Sequence, residues 1–287
     1  MGESIQGGLV DILILFYNKV DQTIDCINSF LPSGQHIYVL NNGSDEQQLK
    51  KLSRFYASNP QVHLLDAGKN LGVSGGRNFL IQHTRAPWLL SVDNDITIEP
   101  VQSWLHLFQE FTAGHPDTAI IVPQIYNVHE QCNSDQLRVR VENSKVFVDA
   151  GSFAVTNCFP GGASFIQRAV FEQYGLFDEG MFVGFEDYEF ALRAILSEKG
   201  AFAVYHINTI RLIHDHQYQK SSSDKEAVKQ RYSEERLTAS YNRIVEKFGI
   251  EFDHDWQWWT KKQVQEMTEP VWVSKAKSIF GRILGKN

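Results

Sequence analysis

Apolar runs and amphipathic stretches alternate along the first hundred residues. Residues 9–17 (LVDILILFY) form a β-rich run ending at Asn18, and residues 22–30 follow at helical spacing until Pro32 closes them. A second run, residues 36–40 (HIYVL), is stopped by the turn residues Asn41, Asn42, Gly43 and Ser44. Residues 46–56 set Leu49, Leu52, Phe55 and Tyr56 at helical spacing. Residues 62–65 read as a third strand and residues 74–83 as another helix. The fourth run, residues 87–92 (PWLLSV), breaks off in Asp93-Asn94-Asp95. Strands separated by helices of this length predict βαβ units and a mostly parallel sheet.

Beyond Pro100 the pattern predicts a helix to about Thr112, a strand over 119–126, and a β-hairpin over 139–153 turning at Asn143-Ser144. A loop at 159–162 (FPGG) leads into a short helix over 168–174. Residues 186–199 predict an amphipathic helix with Phe190, Ala191, Ile195 and Leu196 on one stripe and Gly200 as its stop. Two closing strands are expected over 201–207 and 209–213, and a charged, helical pattern runs from about residue 224 to the end.

Composition narrows the class. The 287 residues are 43% hydrophobic and 21% charged, which suits a folded soluble protein. With 27 Lys+Arg against 34 Asp+Glu the net charge is −7, so a nucleic-acid partner is not expected. The charge is uneven. Residues 272–287 hold Lys275, Lys277, Arg282 and Lys286 and no acid; −7 overall, less this +4, leaves −11 on the other 271 residues. Three scattered cysteines (Cys26, Cys132, Cys158), Glu3 in place of a basic leader, and no apolar run long enough to span a bilayer point to a cytoplasmic protein.

In an open α/β sheet, ligands bind beyond the carboxyl ends of the strands. Four polar groups fall there: Tyr17-Asn18, Asn41-Asn42-Gly43, Asp93-Asn94-Asp95 and His214-Asp215-His216. Two carboxylates one residue apart can hold a divalent cation while the cation binds phosphate oxygens. A plain turn with an Asp cap would read the same way.

These segments carry a resemblance. The stretches VDILILFYN (10–18), VLNNGSD (39–45), NLGVSGGRN (70–78) and LLSVDNDITIEP (89–100) resemble family 2 glycosyltransferases of the GT-A fold. Residues 161–193 (GGASFIQRAVFEQYGLFDEGMFVGFEDYEFALR) are similar to the rhamnosyltransferase-like bacterial branch of that family. The implied fold class is α/β: a Rossmann-like, mostly parallel sheet flanked by helices. The implied division is a nucleotide-sugar half (about 8–100), an acceptor half (about 101–222) and a helical extension (223–287).

The resemblance implies roles residue by residue. Asp95 would bind Mn²⁺ or Mg²⁺, with Asp93 at the ribose or the metal's water shell. His214 would be the last-strand metal ligand, and His216 competes for that role. Tyr17, Asn18, Asn41, Asn70, Arg77, Asp93, Asn94, Gly161 and Gly162 make up the expected nucleotide-sugar set, with Arg77 gripping phosphate or base oxygens. The family carries Asp where this chain has Asn41, which can accept a hydrogen bond but can also donate one. Asp187 would take the acceptor's proton with Glu186 orienting the acceptor, and Glu189 would lie on the helix surface or the acceptor-side wall. Trp88 is expected in the core, whereas Trp256, Trp258 and Trp259 suit either acceptor stacking or anchoring of the C-terminal segment.

The expected reaction moves a sugar, with inversion, from a dTDP- or UDP-linked donor to a glycan or lipid-linked glycan hydroxyl in bacterial surface polysaccharide synthesis. If helical, the basic tail (272–287) would lie on an anionic membrane at the inner face. Two other readings remain. Sugar-nucleotide synthesis expects a Gly-rich basic loop after the first strand, where Phe16-Tyr17-Asn18-Lys19 stands instead. A non-catalytic nucleotide-sugar-binding scaffold of a polysaccharide assembly would not need both acidic motifs.

Overall fold

The N-terminal apolar run becomes strand β1 (Val10–Phe16), buried along almost its whole length. In the computed structural model, which describes residues 8–100, 103–215 and 233–255, it sits at the centre of the sheet's parallel block. Helix α1 (Val20–Phe30), strand β2 (Ile37–Asn41), helix α2 (Glu46–Tyr56), strand β3 (Val62–Asp66), helix α3 (Gly72–His83) and strand β4 (Trp88–Asp93) follow. β1 pairs in parallel with β2 and β4, and β2 with β3. Burial on both faces is why β1 is nearly all apolar. Its one acid, Asp11, is satisfied because its carboxylate accepts the backbone N–H groups of Arg85 and Ala86 at 2.9 and 2.8 Å.

The second half opens with strand β5 (Ile96–Ile98), helix α4 (Trp104–Gly114), strand β6 (Ile120–Asn127) and the two-residue strand β7 (Cys132–Asn133). Strands β8 (Gln136–Glu142) and β9 (Lys145–Gly151) form the expected hairpin. Its turn residues Asn143 and Ser144 have φ of 50° and 61°, the left-handed pair that matches strand twist in two-residue turns. Then come β10 (Val155–Thr156), β11 (Ala163–Gln167), α5 (Arg168–Tyr174), α6 (Glu186–Ile195), β12 (Val204–His214), α7 (Glu234–Phe248) and β13 (Glu251–Phe252).

Among the described residues the main sheet runs β10-β12-β6-β11-β4-β1-β2-β3, with β5 on β12 and β7 on β6. β11 lies antiparallel between β4 and β6, so the long strands β1, β2, β3, β4, β6 and β12 all point the same way. This is the expected mostly parallel sheet with helices against it, and it gathers the carboxyl ends of β1, β2, β4 and β12 on one edge.

Four local expectations are corrected. β11, between the loop at 159–162 and the helix at 168–174, went unread, because its run is only five residues long and follows two glycines. β5 went unread because the D-x-D turn hides a three-residue strand. The two closing strands are one strand, β12, with a register shift between Ile207 and Arg211 that mimics a break in periodicity. α6 ends at Ile195, and Leu196 is 46% exposed rather than on the buried stripe.

The principal core lies between sheet and helices and includes Trp88, which meets Phe108 edge-on at 5.1 Å. A second core joins β8, β9, α6, α7 and β13 through Val139, Val146, Phe185, Leu192, Leu237, Ile244 and Phe252. The segment containing α7 therefore packs directly behind the helix that carries Glu186 and Asp187.

Candidate active site

The D-x-D turn is held at the end of β4. Asp93 donates its backbone N–H to Gly162 at 2.8 Å, which ties it to the loop before β11. That loop approaches closely. A Cβ on Gly162 would lie 2.4 Å from the Asp93 carboxylate, and one on Gly161 would lie 2.5 Å from the Arg77 guanidinium and 2.6 Å from Asp187. Only glycine leaves room there, so the two glycines belong to the acidic site itself.

Arg77 occupies the centre of that site and is 5% exposed. Its guanidinium donates to Glu186 Oε1 at 3.1 Å and to Asp93 Oδ1 at 3.2 Å, and lies 3.8 Å from Asp187 Oδ1. One cation thus links the D-x-D strand to the first turn of α6. A buried, ionised guanidinium needs such partners, and its planar fork reaches two carboxylates at once. Expected as a nucleotide contact, Arg77 here spends its donors on the protein's own acids.

Asp187 accepts the Gly161 N–H at 3.0 Å. Burial, and then the neighbouring Glu186 charge, push its carboxyl well above the usual carboxylate range, against the lowering effect of Arg77. The helix that presents the pair has Phe185 as its N-cap, held at φ 65°. A left-handed phenylalanine is unusual and marks a backbone fixed by its surroundings. Glu189 corrects its expectation. It is 0% exposed, bonded to Arg193 at 3.0 Å and to Lys247 of α7 at 2.7 Å, so it is a buried charge anchoring helices.

Asp95, two residues beyond Asp93, meets other partners. Its Oδ1 is 3.4 Å from His214 Nε2, at the end of β12, and its Oδ2 is 3.8 Å from Lys19 Nζ. Backbone pairing of Asp215 with Asp95 at 3.0 Å and of β5 with β12 brings the two strand ends together. Among the described residues no group of three or more His, Cys, Asp or Glu could hold a metal ion. A carboxylate oxygen beside an imidazole nitrogen nonetheless suits part of a Mn²⁺ shell, and the mixed donors favour it over Mg²⁺. The donor set fits provided that substrate oxygens and water complete it. His216, Trp256, Trp258, Trp259 and the tail 272–287 lie outside the described residues.

The amides at the other strand ends are tightly committed. Asn18 accepts the Asp45 N–H at 3.0 Å, and its carbonyl accepts from Asn94 at 3.3 Å. Asn42 accepts from Leu71 N–H at 2.8 Å and donates to the Gly72 carbonyl at 3.0 Å, while Asn70 accepts from Gly72 N–H at 2.9 Å. Asn41 donates to Asp66 at 3.0 Å and accepts from Ser44 N–H at 2.9 Å, which fixes its amide orientation. Tyr17, half-buried, follows β1 on the same edge.

Two contributors were missed from sequence. Lys19 reaches Asp95 because Asn18 and Lys19 are consecutive left-handed residues, at φ 57° and 56°, that swing the chain back over the sheet edge. Asp178 ties the loop before α6 to α7, accepting from Arg243 and Lys247 at 2.9 and 3.1 Å. Lys19 directly follows the first matched strand and Asp178 lies within the matched stretch 161–193, but their partners are distant in sequence.

Comparison with known proteins agrees with this architecture. A family model described as glycosyl transferase family 2 matches residues 11–175. The low-salt glycan biosynthesis hexosyltransferase Agl10 of Haloferax volcanii is 26% identical over 203 residues, covering 65% of this chain and 62% of that protein. Among solved structures, GalNAc-T7 with UDP, GalNAc and Mn²⁺ superposes with a TM-score of 0.60 at 17% identity, covering 85% of this chain and 48% of that one. Staphylococcus aureus TarS 1–349 in complex with UDP-GlcNAc gives 0.59 at 15% identity, covering 90% and 71%. The chain thus spans about three fifths of the archaeal relative and about half of GalNAc-T7.

Proposed function

The chain belongs to glycosyl transferase family 2, and on that premise we propose that it transfers a sugar from a nucleoside diphosphate to a glycan hydroxyl with inversion. The observation that carries this reading is Asp187. It is a carboxyl of raised proton affinity, held by Gly161 N–H against the loop that also binds the D-x-D strand. A base of that affinity is poised for a hydroxyl proton near neutral pH.

In the proposed step the acceptor oxygen forms its bond to the anomeric carbon as the bond from that carbon to the diphosphate breaks. The hydroxyl proton passes to Asp187, and the nucleoside diphosphate leaves with the electron pair. Attack from the face opposite the leaving group gives inversion. Arg77 keeps Asp93, Glu186 and Asp187 together, and Glu186 orients the acceptor. Asp95 and His214 would hold Mn²⁺ or Mg²⁺, which supplies charge neutralisation at the departing diphosphate. Lys19 adds a fixed positive charge beside them.

Tyr17, Asn18, Asn41, Asn70 and Asn94 would line the nucleotide, with Gly161 and Gly162 at the sugar. The UDP complexes of GalNAc-T7 and TarS make UDP-sugars the first donors to try; dTDP-rhamnose follows from the branch resemblance. A hexosyl donor and a glycan product are in line with the name of the archaeal relative; a surface polysaccharide or lipid-linked acceptor follows from the branch resemblance and the basic tail. No helix among the described residues is long and apolar enough to cross a membrane. Contact of the basic tail with anionic lipid at the inner membrane face is tested by deleting residues 276–287 and measuring liposome association.

The deciding experiment is release of nucleoside diphosphate from a donor panel with Mn²⁺, Mg²⁺ or chelator. Turnover that falls at least tenfold in Asp95→Ala and His214→Ala, and on chelation, is expected. Nucleotide binding without turnover under every condition would instead favour the scaffold reading.

A further inference from the structure

Beside Asp187 lies a cavity of about 480 Å³. That volume falls within the roughly 300–1,000 Å³ of small-molecule sites. Asp187 forms part of its wall, beside Gln124 on β6, Asn133 on β7, Ser152 after β9 and Asn208 on β12, with Phe159 among its apolar surfaces. The cavity therefore lies between the main sheet and the hairpin sheet. Neutral amides and hydroxyls offer both donors and acceptors, the complement of a ring of sugar hydroxyls. Apolar surfaces suit the C–H face of a pyranose.

The charges present have one sign. Asp135 and Asp187 both line the cavity, so an anionic guest would meet carboxylates. His206, also on the wall, is bonded to Thr156 Oγ1 at 2.9 Å, and burial pushes its imidazole down to about 4, so at neutral pH it brings no positive charge.

We infer that this cavity holds an uncharged pyranose ring, the terminal residue of the acceptor glycan, presenting a hydroxyl to Asp187. The assignment of the ring as acceptor rests on the transferase reading; the saccharide site itself does not. It selects neutral hexosyl or N-acetylhexosaminyl ends over uronic acids and sugar phosphates.

The test is saturation-transfer NMR on the full chain with methyl glycosides of glucose, galactose, mannose, N-acetylglucosamine and rhamnose, alongside methyl glucuronide and glucose 6-phosphate. Ser152→Trp fills the cavity mouth, and Asn208→Ala removes an amide from an exposed strand position. At least one neutral glycoside is expected to bind, at least fivefold more weakly in both variants, with the two anions silent. Absence of any neutral ligand, equal binding by the variants, or anions that bind as well would each overturn the inference. A parallel titration with UDP and Mn²⁺ separates the claims. Saccharide binding without any nucleotide binding removes the transferase reading alone, whereas nucleotide binding without saccharide binding removes only the cavity assignment.

Discussion

The two sides of the sheet edge are built by different physics. On the side of β1, β2 and β4, the side-chain amides of Asn18, Asn41, Asn42 and Asn70 close short hydrogen bonds between neighbouring βα units, 2.8 to 3.3 Å long. On the side of α6, charges from distant parts of the chain converge. Arg77 meets Glu186 across 109 residues, and Asp178 meets Lys247 across 69. The first cradle forms as its strands pair; the second exists only once the whole chain has closed. Amide networks fail locally and mildly, whereas a buried charge stripped of its partner is costly.

Arg77→Met should break the charged side most severely. It leaves Asp93, Glu186 and Asp187 facing one another, and a loss of about 3–5 kcal/mol is expected by denaturant unfolding. A loss below about 1 kcal/mol would mean that the cluster is not held by this cation.

The α7 anchor ranks next. Asp178 is drawn down to about 2 by Arg243, Lys247 and the Gly180 N–H, against the opposing effect of burial. Its folded affinity for protons is below the unfolded one, so its stabilisation is present above the ordinary Asp range and fades as pH falls through about 2. Asp178→Asn is expected to lose roughly 2 kcal/mol at pH 7, and its melting temperature should converge on wild type as pH approaches 2. A pH-independent difference would assign the effect to packing.

The smallest effect belongs to the amide side. Asn41→Asp restores the family's usual acid but sets it against Asp66, which now accepts from the Asn41 amide at 3.0 Å. A cost of about 1 kcal/mol at pH 8 is expected, shrinking near pH 4 as one of the two carboxyls takes up a proton. Equal stability at both pH values would show that the amide and Asp66 do not work as a pair.

Legibility follows the same division. The strand ends at Asn18, Asn41 and Asp93 could be read because an apolar run stopping in turn residues is a local signal. Asp187 came from the family resemblance, which matched its Glu-Asp pair at the opening of a helix, and its partner Gly161 from the glycine loop that the same resemblance implied. What binds them, the Arg77 fork and the Asp178–Lys247 link, depends on contacts between residues far apart in sequence. β11, which carries the glycine loop into the sheet between β4 and β6, was missed for the same reason: five residues show too little periodicity to declare their partners.

The central claim is that Asp187 is the base. The most direct measurement is the pH dependence of acceptor-stimulated nucleoside diphosphate release, for wild type and Asp187→Asn, with melting temperature followed in parallel. Because the ionised form must act and its proton affinity is raised, wild-type activity should climb with pH through a limb lying above the ordinary carboxylate range. Asp187→Asn should lose activity by at least a hundredfold together with that limb. Since burial and Glu186 already disfavour the charge, the variant should be as stable as wild type at pH 8, or more so by about 1 kcal/mol. Near wild-type turnover in Asp187→Asn, with the limb unmoved, would contradict the assignment.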